Sequence, residues 1–119
     1  MIRTFLVNCE YERAEYEVKA LRLELDIEVA GIATDGARGL EEVRRADPDL
    51  VITCVGLPSL SGLDMIRKLR QGGSHCKIVV ATAGPTREAD ALEAGADGFI
   101  SLPPSIDEFI GLVRRVMAG

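Results

Sequence analysis

Cysteine is scarce in this sequence, and its arrangement excludes more than its number does. Cys9, Cys54 and Cys76 are three, an odd count at irregular spacings, which does not make the paired framework of a small secreted protein. Free thiols in a cytoplasmic chain are the expectation. Histidine is scarcer still: His75 stands alone beside Cys76, and two neighbouring donors are not a metal ligand set. Positive charge is also short. A net charge of −5 gives no basic field for nucleic acid, so no direct nucleic-acid contact is expected of this domain. No apolar run approaches the roughly 20 residues of a membrane span, and no membrane contact is expected. Met1 to Val7 lacks the apolar region and small-residue cleavage site of a signal peptide. Linkers, internal repeats and low-complexity segments are missing too. What remains is an ordinary globular balance, 47% hydrophobic and 28% charged over 119 residues, which suits one domain spanning 1–119.

Short apolar runs alternate with longer amphipathic ones. Ile2 to Val7 reads as a strand, and Tyr11, Ala14, Val18, Leu21 and Leu25 then follow at helical spacing as one core-facing stripe. Ile27 to Thr34 alternates like an edge strand with one wetter face. Asp35 is placed to cap a second helix carrying Ala37, Leu40 and Val43, weakened by Gly39 and ended by Asp47-Pro48. A third helix carries Leu63, Ile66 and Leu69 and stops at Gly72-Gly73. Lys77 to Thr82 is another buried strand, and a short Ala-rich helix runs to about Ala94, with Gly95 as its terminating glycine. Asp97 to Ser101 is the fifth strand, and Ser105 with Glu108 forms a capping box that opens the last helix. Five such alternations predict an α/β fold, a single doubly wound parallel sheet with five helices on its two faces.

The stretch from Asp49 to Gly62 carries the functional question. Leu50 to Val55 is nearly all apolar and β-branched, as in a strand buried on both faces, and it breaks into Gly, Pro and Ser before Leu63. In open α/β sheets ligand chemistry lies just past the carboxyl ends of the strands. Cys54 occupies that point.

Several strings together resemble the receiver domain of two-component response regulators, over essentially the whole chain. They are Phe5 to Val7, Pro48 to Ile52, Leu57-Pro58 before Gly62-Leu63, Thr82-Ala83, Ala94 to Phe99 and Pro103. The resemblance implies the flavodoxin-like receiver fold with strand order 2-1-3-4-5. It implies that loops 8–10, 54–58, 82–86 and 102–104 meet at one edge, and it makes the Leu102–Pro103 peptide a candidate for the cis form. Receiver domains accept a phosphoryl group on an aspartate after strand three. Acidic residues after strand one help it hold Mg²⁺, while a Ser/Thr and a Lys after strands four and five bind the phosphoryl oxygens. Carried over residue by residue, the acidic pair falls on Asn8 and Cys9, the acceptor on Cys54 and the lysine on Leu102. Only the hydroxyl survives, as Thr82, and Glu10 is the one carboxylate left nearby.

An amide and two thiols replace badly the hard oxygen ligands that Mg²⁺ needs. Without the metal and the lysine, most of the electrostatic positioning behind phosphoryl transfer is gone. The expectation is a degenerate, pseudo-receiver pocket of Asn8, Cys9, Glu10, Cys54, Thr82 and Leu102, with no metal, no cofactor and no enzymatic activity. No Lys, Arg or His is expected near Cys54 to activate its thiol. Such a domain would act in signal transduction by phosphorylation-independent contact with a protein partner, or as a homodimer, through the fourth helix, fifth strand and fifth helix. It would regulate transcription or a kinase pathway if joined to an output domain. Phe99 aligns with the family's switch aromatic, and Phe109, Leu112 and Val116 on the last helix are the interface candidates beside it. Two alternatives stay open: a thiol redox or soft-metal sensor built on Cys9 and Cys54, and a phospho-accepting receiver with an unusual acceptor.

Overall fold

The computed structural model describes residues 1–102 and 104–119. Among them five strands and five helices alternate: β1 (Ile2–Val7), α1 (Tyr11–Arg22), β2 (Ile27–Ala33), α2 (Gly36–Ala46), β3 (Leu50–Thr53), α3 (Gly62–Gln71), β4 (Lys77–Thr82), α4 (Glu88–Ala94), β5 (Gly98–Ser101) and α5 (Ile106–Ala118). All four pairings are parallel, in the order β2-β1-β3-β4-β5. The Leu102–Pro103 peptide lies outside the described residues.

Strand parity divides the core in two. Phe5, Val7, Val51, Ile78 and Val80 face one layer with Met65, Ile66 and Leu69 of α3. Their neighbours Leu6, Leu50, Ile52, Val79 and Ala81 face the other, with Val18 and Leu21 of α1 and Phe109 and Val113 of α5. Strands buried on both sides read as continuous apolar runs because each parity has its own helical cover. The runs Leu50–Ile52 and Ile78–Val80 are at most 1% exposed. Edge strand β2 keeps the alternation of a half-wet strand, Ile27 and Ala33 buried while Glu28 and Ile32 are exposed.

Local signals fix most helix starts. Asp35 Oδ1 accepts from Arg38 N at 2.7 Å, Ser61 Oγ from Asp64 N at 3.2 Å and Ser105 Oγ from Glu108 N at 3.1 Å. Asp47 and Gly95 end α2 and α4 in the left-handed region, at φ 47° and 119°.

The core-facing stripe of α1 differs from its expected one. Tyr11 is 80% and Leu25 97% exposed. Tyr11 is the first residue of the helix, and Leu25 falls beyond its end at Arg22, where helical spacing no longer applies. The buried residues are Ala14, Glu17, Val18, Ala20 and Leu21, and all but Ala20 form an i, i+3, i+4, i+7 set containing a carboxylate. Similarly, Ala37 is exposed while Gly39 is buried in α2. A Cβ at Gly39 would lie 2.8 Å from Val7 Cγ1 and 3.2 Å from Met65 Sδ, so this glycine lets the helix approach the sheet closely.

On α5, Phe109 is fully buried, and Leu112 and Val116 are each 8% exposed. All three belong to the core layer of α1 and α5, and Leu112 and Val116 close over Gly98. Their apolar surface is used inside the chain, which corrects their expected role as interface residues. Phe99 is half-buried against the opposite core layer.

Candidate functional site

The register of β1, β3 and β4 brings Val7, Thr53 and Val80 level, and the following loops meet just beyond them. Cys54 N donates to Val7 O at 3.2 Å, and Cys9 Sγ donates to Gly56 O at 3.3 Å, tying the first loop to the third. Gly62 closes the floor: a Cβ there would come within 1.9 Å of Cys54 O, so only glycine lets the start of α3 sit against this turn.

Parity sends Asn8 away from the pocket. It follows Leu6 onto the face of α1, where it is 2% exposed. Its Oδ1 accepts from Glu10 N at 2.9 Å, and its Nδ2 donates to Glu17 Oε1 at 3.4 Å. The amide is a turn and core group, and Cys9 with Glu10 is the pair left at the pocket. Cys9 is exposed and stands beside Cys54, close enough to influence its ionisation.

Cys54 is 4% exposed. Burial, reinforced by the neighbouring Cys9 side chain, pushes its thiol up to about 11, although hydrogen bonding to the Cys9 backbone and the charge of Arg13 pull the other way. Arg13 corrects the expectation of a pocket without cations. It lies in the first turn of α1, 3.6 Å from Glu10, and it influences both Cys54 and Glu17. Its charge is outweighed by burial, so Cys54 stays a protonated thiol at neutral pH.

The surviving hydroxyl is spent locally: Thr82 Oγ1 accepts from Gly84 N at 3.1 Å, as in a Ser/Thr turn. Leu102 is half-buried and packs on the α1 and α5 layer. It lines a cavity of about 300 Å³ with Glu17, Tyr16 and Ala83. The donor set does not fit Mg²⁺. It offers two thiols and one exposed carboxylate already turned towards Arg13, and among the described residues no three His, Cys, Asp or Glu side chains are grouped to hold a metal ion.

Glu17 was missed by sequence reasoning, although a carboxylate between Ala14 and Leu21 in an apolar stripe is itself a signal. It is 2% exposed, and among the described residues its Oε2 has no hydrogen-bond partner. Burial raises its pKa to about 7, opposed by the Asn8 hydrogen bond and the charge of Arg13.

Known proteins agree with this architecture. The chain is 30% identical over its whole length to the regulator BvgA of Bordetella pertussis, covering 58% of it. It is 30% identical over its whole length to the response regulator GacA of Pseudomonas viridiflava, covering 56% of it. Against the nitrate/nitrite response regulator NarL of Escherichia coli K12 it is 31% identical over 79% of the chain and 44% of the relative. The chain thus spans about half the length of these relatives. Among solved structures, the signal receiver domain of NarL from Mycobacterium tuberculosis superposes with a TM-score of 0.92 at 25% identity, over 99% of this chain and 97% of that one. The response regulator domain of Thermotoga maritima CheB shares the fold with a TM-score of 0.91 at 20% identity, over 100% and 98%. The response regulator receiver domain family matches residues 10–114, and with the sheet order and the gathered loops this makes the chain a member of that family, the receiver domain of a two-component response regulator.

Proposed function

We propose that this receiver domain signals through protein–protein contact without accepting a phosphoryl group. The observation that carries the reading is Cys54 at the end of β3, a buried thiol with its pKa pushed up to about 11, with Leu102 at the lysine position and, among the described residues, no oxygen ligand set for Mg²⁺. A protonated thiol is a poor nucleophile, and phosphoryl transfer depends on charge neutralisation this pocket does not supply. The domain is not an enzyme on this reading. It works in the cytoplasm, consistent with the lack, among the described residues, of a helix long and apolar enough to cross a membrane. Its net charge of −5 favours a protein partner over nucleic acid for this domain itself. The output is transcriptional, by analogy with BvgA, which is named as a transcription regulator.

The contact face is α4, β5 and α5. Leu92 and Ile106 are 45% and 42% exposed there, and Phe99, Ile100 and Ile110 on the same elements are half-buried. The pocket is tested by amide NMR with Mg²⁺ and beryllofluoride, and with acetyl phosphate. Unchanged spectra are expected, and stable phosphorylation of the unmodified chain by any kinase overturns the reading. One observation favours a second reading: Cys9 stands beside Cys54. If mild oxidation changes the spectrum of α5 and Cys54→Ala abolishes the change, a thiol switch replaces the first reading.

A further inference from the structure

A cavity lies between α1 and the loops after β4 and β5. It measures about 300 Å³, at the small end for organic ligands. Its walls are mainly apolar, from Leu102, Pro104, Ala83 and the Tyr16 ring. Tyr16 is fixed as a wall because its hydroxyl donates to Pro104 O at 3.0 Å. Glu17 lines the same space, and its Oε2 has no partner among the described residues. A buried carboxyl in that state costs stability and is usually paired or bound.

We propose that this cavity binds a small organic amine, its ammonium group on the Glu17 carboxylate and its apolar body against Leu102, Pro104 and the Tyr16 ring. Charge selects the class. Glu12 and Glu17 face the cavity against a single cation, Arg13, which is drawn towards Glu10 at 3.6 Å. An ammonium gains a sheltered ion pair, strengthened by low local dielectric, and an aromatic face beside it. A neutral alcohol of the same shape gains only the apolar contact and a weaker hydrogen bond, and a carboxylate is repelled.

Binding is linked to protons. Glu17 carries its proton below about pH 7, so an arriving ammonium displaces that proton to solvent. Affinity therefore rises with pH up to about 7 and levels off above it. Among the described residues the other charged groups lining this space are Arg13 and Glu12 of α1; Asn8, just past β1, is uncharged, and the β4 and β5 loops contribute Ala83, Leu102 and Pro104, which do not titrate. This inference is independent of how the phosphorylation pocket behaves, because no phosphodonor enters its test.

The test titrates the 119-residue chain with phenethylamine, 2-phenylethanol and phenylacetate, following the Ala83 and Leu102 methyl groups by NMR. Phenethylamine is expected to shift those methyls at about pH 8, to bind about tenfold tighter than the alcohol, and to weaken about tenfold by pH 6. Phenylacetate should not bind. Glu17→Gln should reduce the amine to the level of the alcohol, and Ala83→Phe, at the exposed mouth, should block both. Equal binding of amine and alcohol, amine binding unchanged by Glu17→Gln, or no methyl shift with any ligand overturns the proposal. If Glu17→Gln does not fold, the pH series and Ala83→Phe decide it.

Discussion

Ionising Glu17, which removes its proton inside the core, is costly in the folded chain. The side chain is 2% exposed, with a single long hydrogen bond of 3.4 Å from Asn8. Its pKa is raised from 4.5 to about 7 by burial. In the window between those values the folded chain holds a proton that the unfolded chain has released. Stability therefore falls as pH rises, and this contribution, complete below about pH 4.5, is lost through about pH 7. At 1.36 kcal/mol per pKa unit, the loss is about 3 kcal/mol. A domain of this length has a total of roughly 6–18 kcal/mol, so the effect is large. Glu17→Gln keeps the shape and removes the titration. The variant should match the parent near pH 4 and exceed it by about 3 kcal/mol near pH 8. Urea unfolding followed by far-ultraviolet circular dichroism suits the measurement, since the chain has no tryptophan to report by fluorescence. A stability difference between variant and parent that stays constant within about 0.5 kcal/mol across that range would refute the assignment of a buried, poorly paired carboxyl.

Cys54→Asp alone should not make the domain phosphorylatable, because Cys9 and Leu102 remain; a stable phospho-form after incubation with acetyl phosphate and Mg²⁺ contradicts this. In the folded chain one thiol, Cys9, should react quickly with a disulfide reagent while Cys54 and Cys76 stay protected by burial, as counted by mass spectrometry. Gly39→Ala should destabilise by about 1–2 kcal/mol despite the better helix propensity of alanine, because its Cβ meets Val7 at 2.8 Å; an unchanged or raised melting temperature would show that α2 yields. Arg70 donates to Gly95 O at 2.8 and 3.0 Å, Cys76 O at 2.7 Å, Ser74 O at 3.1 Å and Asp97 Oδ2 at 3.0 Å, joining the α3, α4 and β5 ends. Its replacement by alanine should cost about 2 kcal/mol, and lysine should not restore it because a point charge cannot serve this fan of carbonyls; full rescue by lysine in denaturant titrations counts against that.

The elements and their order were determined by sequence. Runs such as Leu50 to Ile52 and Ile78 to Val80 are apolar at every position because both faces of a central parallel strand are covered, and that pattern needs no coordinates to be read. Asp35 and Ser105 cap their helices through contacts three residues away, which the local order of residues encodes. The thiol at Cys54 and the apolar side chain at Leu102 are equally plain in the sequence, since identity at a loop position is a local fact. What packs against what was decided only in three dimensions. Strand parity turned Asn8 onto Glu17 and left Cys9 beside Cys54, a choice that depends on which face each helix covers. Arg13 reaches the pocket, and Phe109, Leu112 and Val116 vanish into the core, because α1 and α5 share one side of the sheet. The pKa of Glu17 follows from the same packing: desolvation is a property of everything around a group, and its neighbours come from α1 and the loops after β1, β4 and β5, with Tyr16 and Pro104 88 residues apart in the chain.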